Sequence, residues 1–183
     1  MCNQLHTEKV KRGRIRGDPE KKEVEKMIRF LIDEEYRKML PQALAGAKRD
    51  IRIMVYRVQR KLGRGMTEEN LFLDTMKDRV KRGVKVWLII DYYPRPGMAY
   101  KENLYTALIL MDCGIYARYL KNSRVCHAKT VIIDQEIAIV GSHNWTTNSL
   151  KRNLEVSVMV RDKEEVGRLI EEFDKLFSEG VKF

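Results

Sequence analysis

The sequence predicts an α/β domain, a mixed β-sheet with helices on both faces. Strand-like apolar alternation trades places repeatedly with apolar residues at helical spacing. Turn residues mark the changes, and one segment, Val84 to Asp91, is the nearly continuous apolar run expected of a strand covered on both faces. At 183 residues and 44% hydrophobic, the chain falls in the range of a single domain able to bury roughly two-thirds of its unfolded surface.

Residues 1–25 mix Lys9, Lys11, Arg12, Arg14, Arg16, Lys21 and Lys22 with few apolar positions, and read as a basic, mobile or weakly helical extension to one domain over 26–183. Ile28, Phe30 and Ile32 alternate as a strand, then Tyr36, Met39, Leu40, Ala43, Leu44 and Ala47 recur at helical spacing. Pro41 falls inside that pattern, so either the helix kinks there or a second one starts. Ile51 to Val58 is the next strand. Thr67, followed by Glu68 and Glu69, opens a helix with Leu73, Met76 and Val80 on one face, ended by Gly83. The strand to Asp91 follows, then a loop over Tyr92 to Gly97, a helix marked by Leu104, Ala107, Leu108 and Met111, and a strand over Ile115 to Leu120. Two strands joined by a short turn, Cys126 to Ile133 and Glu136 to Val140, precede another over Leu154 to Val160. Asp162 and Glu165, at capping-box spacing, start the last helix, whose apolar face carries Val166, Leu169, Ile170, Phe173, Leu176 and Phe177. In a sheet of this kind ligands bind beyond the strand ends.

The 36 Lys and Arg against 26 Asp and Glu give a formal charge of +10, which suits nucleic acid or an anionic lipid surface as partner, or simply a heavily solvated exterior. Cys2, Cys113 and Cys126 form no C-x-x-C pair and suggest neither a zinc site nor a disulfide framework. No apolar stretch of signal-peptide length follows the basic start, and no apolar run could span a bilayer, so a cytoplasmic protein is expected if Met1 is the true start.

Between the paired strands lies H-x-K-x4-D-x6-G-S-x-N, formed by His127, Lys129, Asp134, Gly141, Ser142 and Asn144. Six fixed residue types over eighteen positions make a chance match on the order of one in a few hundred thousand. On a strand, His127 and Lys129 share one face with the small Ala128 between them pointing away. An imidazole can attack phosphorus or move protons near neutral pH, and an ammonium can neutralise non-bridging phosphate oxygens. Gly141, Ser142 and Asn144 form a turn at the next strand's end, where glycine permits close approach and the Ser142 and Asn144 side chains can donate to phosphate oxygens. Asp134, an odd number of residues from His127, falls on the opposite face or in the turn.

This signature resembles the HKD motif of the phospholipase D superfamily. The similarity extends from about Met27 to Phe177 through I-R-I-M-V-Y and V-K-R-G-V-K-V-W-L-I-I-D. The resemblance implies a phospholipase D-like fold and a phosphodiesterase in which one histidine attacks phosphorus, forming a phosphohistidine, while a second protonates the departing oxygen and then activates water. It also implies that Glu155 orients the histidine and that Asp134 is a supporting residue. The chain carries one copy and no internal repeat, so a two-fold homodimer with both His127 side chains at the axis is the direct solution. His143, between Ser142 and Asn144, would point away from them, and His6 lies in the basic tail. Lys129 would repel a divalent cation, so no metal and no other cofactor is expected. Short chains with a single signature resemble small bacterial nucleases, making a metal-independent nuclease the leading expectation. The alternatives are a phospholipase D-type hydrolase of phosphatidyl lipids and a catalytically silent nucleic-acid-binding dimer. Arg57, Arg60, Lys61, Arg64, Arg95, Lys151 and Arg152 are candidates for a phosphate-tracking rim.

Overall fold

A computed structural model of the protein describes residues 28–61, 67–92, 98–121 and 124–183. The basic extension and the Tyr93 to Gly97 part of the expected loop lie outside them. Eight strands form one mixed sheet: β1 (Ile28–Ile32), β2 (Asp50–Val55), β3 (Lys85–Ile90), β4 (Tyr116–Tyr119), β5 (Lys129–Ile133), β6 (Ile137–Gly141), β7 (Val156–Val160) and β8 (Val181–Lys182). Their order is β1-β7-β6-β5-β2-β3-β4-β8, with β2, β3 and β4 parallel and the other neighbours antiparallel. Among the described residues five helices accompany the sheet: α1 (Glu34–Gly46), α2 (Glu68–Lys81), α3 (Met98–Asp112), α4 (Thr147–Lys151) and α5 (Lys163–Glu179).

The sheet alternation distributes these helices unequally. Leu31, Ile51, Ile53, Val55, Val86, Leu88, Val131, Ile133 and Ile139 point to the face covered by Leu40 and Leu44 of α1, Phe72 and Met76 of α2, and Ala107 and Leu110 of α3. The other face buries Met54, Ile89, Ile132 and Ala138 under Val166, Phe173 and Leu176 of α5. One helix is about 10 Å wide and strands lie about 4.8 Å apart, so α5 cannot cover eight of them. Ile28, Phe30, Ile32, Val140 and Val156, on the same face near the β1 edge, therefore stay 37–65% exposed.

Pro41 sits within one continuous helix, α1. Thr67 caps α2 by accepting from the Asn70 N–H at 3.3 Å. Half of the expected capping box forms on α5: Asp162 accepts from Glu164 N and Glu165 N, both at 3.0 Å, while the Glu165 carboxylate takes Arg168 instead. Several expected strands are shorter than their apolar runs, two of them by three residues at the end nearest the signature. β2 stops at Val55, with Val58 meeting Trp145 in a lone bridge, and the strand expected from Cys126 begins at Lys129. Short α4 and the two-residue β8 have no periodicity to announce them.

Candidate active site

The signature gathers where the central strands end. Val55, the last residue of β2, lies opposite Lys129, the first of β5, and Gly141 ends β6 beside them. Beyond that line no strand among the described residues is there to pair with, so Cys126 to Ala128 run outside the ladder. His127 is consequently exposed, on a segment held by other means than a sheet. Its meeting with Lys129 survives this correction. Lys129 Nζ lies 3.2 Å from His127 Nδ1 and donates to the His127 carbonyl at 2.6 Å.

Tyr56, the first residue past β2, stands against both. Its ring centroid is 4.6 Å from that of the imidazole and 5.0 Å from Lys129 Nζ, near enough for a cation–π attraction. Sequence reasoning missed it, although an aromatic directly after the apolar I-M-V run was the available signal. Burial pulls the Lys129 ammonium below its ordinary pKa, opposed by Cys126, Glu155 and Asp91. With an ammonium donating to Nδ1, the neutral ring carries its proton on Nε2. Attack by Nε2 requires the other tautomer, with Lys129 turned from Nδ1 toward phosphate oxygens.

The turn after β6 is built from inside. The Asn144 N–H donates to Ser149 Oγ at 2.8 Å, and Ser149 Oγ donates to Glu155 at 2.7 Å. Asn153 Nδ2 adds a second bond to Glu155 at 3.1 Å. Burial favours the neutral acid, but hydrogen bonds from Ser142, Ser149 and Asn153 outweigh it and hold Glu155 below the usual carboxylate range. No hydrogen bond joins Glu155 to His127 among the described residues, so in this arrangement the carboxylate fixes the turn that carries Ser142 and Asn144. Ser149, on the unforeseen α4, is its link.

Gly141 is required by packing. A Cβ there would lie 2.2 Å from Ser157 Oγ and 2.4 Å from Ser157 Cα, so β7 forbids a side chain whatever the substrate needs. The exposed Ser142 hydroxyl faces the Val156 backbone, accepting its N–H at 3.1 Å. Asn144 Oδ1 accepts from Arg57 N at 3.1 Å, and its Nδ2 has no hydrogen-bond partner among the described residues. His143 turns inward as expected. It is 1% exposed, stacked on Tyr36 at 3.9 Å between centroids, with Nδ1 at 2.8 Å from Ser157 Oγ. Burial pushes its pKa down to about 4. Trp145 is a core residue that donates from Nε1 to the Tyr36 hydroxyl at 3.0 Å.

Asp134 sits at the other end of β5, roughly 16 Å along the strand from Lys129. Its carboxylate accepts the backbone N–H groups of Lys48, Arg49 and Asp50 at 2.7 to 3.1 Å, joining the α1–β2 and β5–β6 connections. These bonds hold its pKa down although burial acts to raise it. Of the rim cations, Arg57 pairs with Glu102 at 3.3 Å and Lys151 with Glu68 at 2.9 Å. Arg60 and Lys61 are partly exposed and Arg152 is exposed, while Arg64 and Arg95 lie outside the described residues. No group of three or more His, Cys, Asp or Glu is placed to hold a metal ion, and no helix is long and apolar enough to cross a membrane, among the described residues.

Residues 40–177 match the family described as "Cardiolipin synthase, PLD-like domain". A mitochondrial cardiolipin hydrolase of Canis lupus familiaris is 34% identical over 71 residues, covering 39% of this chain and 28% of that protein. A cardiolipin synthase of Staphylococcus aureus is 31% identical over 105 residues, covering 57% of this chain and 21% of the synthase. The chain thus spans less than a third of either relative's length. In fold it is similar to Nuc from Salmonella typhimurium, a phospholipase D family member, with a TM-score of 0.70 and 22% identity over 85% of this chain and 97% of that one. NucT from Helicobacter pylori is also similar, with a TM-score of 0.68 and 20% identity over 85% and 98%.

Proposed function

This chain belongs to the cardiolipin synthase, PLD-like domain family, and on that footing we propose that it is a metal-independent phosphodiesterase working through His127. The observation that carries the reading is the convergence of His127 and Lys129, 3.2 Å apart, at the exposed end of a central strand. In the first step His127 Nε2 attacks phosphorus, the N–P bond forms as the P–O ester bond breaks, and a second histidine, as the imidazolium, gives its Nε2 proton to the departing oxygen and is left neutral. Water then attacks phosphorus, loses a proton to that second imidazole, and the N–P bond breaks. Lys129 and Asn144 Nδ2 supply donors to the non-bridging oxygens, and Ser142 and Gly141 shape the turn beside them. Glu155 holds that turn and Asp134 braces the far end of the signature.

The second imidazole is assigned to His127 of another copy. His143 is unsuited because it is buried against Tyr36 and Ser157. A homodimer is also favoured by the uncovered apolar strip of Ile28, Phe30, Ile32, Val140 and Val156, which reaches the Ser142 and Glu155 end of the sheet. For the substrate, the names of the relatives favour a phosphatidyl lipid, and two of the rim cations are already neutralised by carboxylates. The second reading is a nucleic-acid phosphodiester, favoured by the +10 charge. The test incubates wild type and His127→Ala with cardiolipin vesicles, single-stranded DNA, plasmid and RNA in excess chelator. Lipid turnover that His127→Ala lowers by about a thousandfold or more supports the first reading. Turnover of nucleic acid alone selects the second, and activity restored only by added magnesium or zinc overturns the metal-independent mechanism.

A further inference from the structure

His127 stands on a segment outside the sheet, so something other than strand pairing must fix it. Asp91, the residue after β3, makes the relevant contact: its Oδ1 accepts the Cys126 N–H at 2.9 Å, one residue before His127. Asp91 is itself held on both sides of its α-carbon. Its N–H donates to Val55 O at 3.3 Å, and its carbonyl accepts from Asn103 Nδ2 of α3 at 2.7 Å. Asn103 is 2% exposed and spends its other polar contacts on the same neighbourhood, donating to Tyr56 O at 2.8 Å and accepting from Val58 N at 3.0 Å. The end of β2, the end of β3, the tyrosine beside His127 and the approach to β5 are thereby tied into one unit. We propose that Asp91 is a positioning residue for the reaction, setting the height of His127 through the Cys126 N–H and presenting a fixed negative charge to Lys129.

The proposal rests on the phosphodiesterase reading for its kinetic consequences but not for its electrostatic ones. Lys129 is in contact with His127 and Tyr56, and the charges that oppose the effect of burial on it are those of Cys126, Glu155 and Asp91. A carboxylate near a partly desolvated ammonium favours the charged form, so removing the Asp91 charge lets Lys129 lose its proton at lower pH.

Two variants of the full chain separate position from charge. Asp91→Asn keeps an oxygen that can accept from Cys126 N and removes the charge, and Asp91→Ala removes both. Titration of Lys129 followed by NMR of its side-chain nitrogen is expected to move to lower pH in both variants. The alkaline limb of kcat is expected to move with it. Asp91→Ala alone should further lower kcat by about tenfold with KM little changed, because His127 loses its height. An unmoved Lys129 titration in Asp91→Asn overturns the electrostatic half, and an equal kcat in the two variants overturns the positional half. If no phosphodiester is turned over even by wild type, the function proposed above fails, while the Lys129 titration still judges this one.

Discussion

At the scale of the residue, the site depends on side chains whose neighbours change their chemistry. Tyr56 touches both His127 and Lys129 and offers its ring face to the Lys129 ammonium. Tyr56→Leu should lower kcat by about three- to thirtyfold, the range of a lost cation–π contact, in a steady-state assay on whichever phosphodiester is turned over. His143 is the opposite case, a histidine inside the signature that works as a core residue. Its folded pKa, about 4, lies below the ordinary 6.5, so between these values the unfolded chain binds the extra proton. Stability is therefore fully present above pH 6.5 and falls as pH drops toward 4, by at most about 1.4 kcal/mol per pH unit from this group. Urea unfolding at pH 7 and pH 5 should show that drop in wild type and a smaller one in His143→Phe.

At the scale of the element, the two connections flanking β5 have separate duties that the six-residue signature runs together. Asp134 collects three backbone N–H groups where α1 feeds β2. Asp134→Ala strands those donors and should cost about 1–3 kcal/mol in a denaturant melt, while kcat per folded molecule stays near wild type. Loss of turnover without loss of stability would return Asp134 to the reaction. The turn after β6 answers to β7. Gly141→Ala forces β6 and β7 apart at the Ser157 contact, and the melting temperature and the rate should fall together. The helices α2 and α5 were legible from Thr67, Asp162 and their apolar faces because these signals are local. The strand expected from Cys126 starts only at Lys129 because the apolar residues before it fill a helix-covered face with no strand among the described residues to pair with.

At the scale of the whole molecule, one helix among the described residues leaves part of a sheet face uncovered by them, and the mechanism proposed above needs a histidine beyond His127. The proposed second copy would answer both. Sedimentation should give a dimer for wild type and a monomer for Phe30→Asp, and the monomer should lose turnover. Adding an equal amount of His127→Ala and letting subunits exchange should cut the activity of a fixed amount of wild type to about half, as mixed dimers would lack one histidine of the shared site. Undiminished activity would mean that each chain works alone. By itself the sequence determined the family, the order of most elements and the six signature residues, since these rest on residue type, spacing and local periodicity. The tertiary structure decided that Tyr56 stands against His127 and Lys129, that Asp91 holds the Cys126 N–H beside them, that Glu155 serves the Asn144 turn through Ser149, and that Asp134 braces the far end of the strand. Those facts depend on which strands end side by side, and residues 36 and 71 positions before His127 are brought to it by sheet order, which no local pattern encodes.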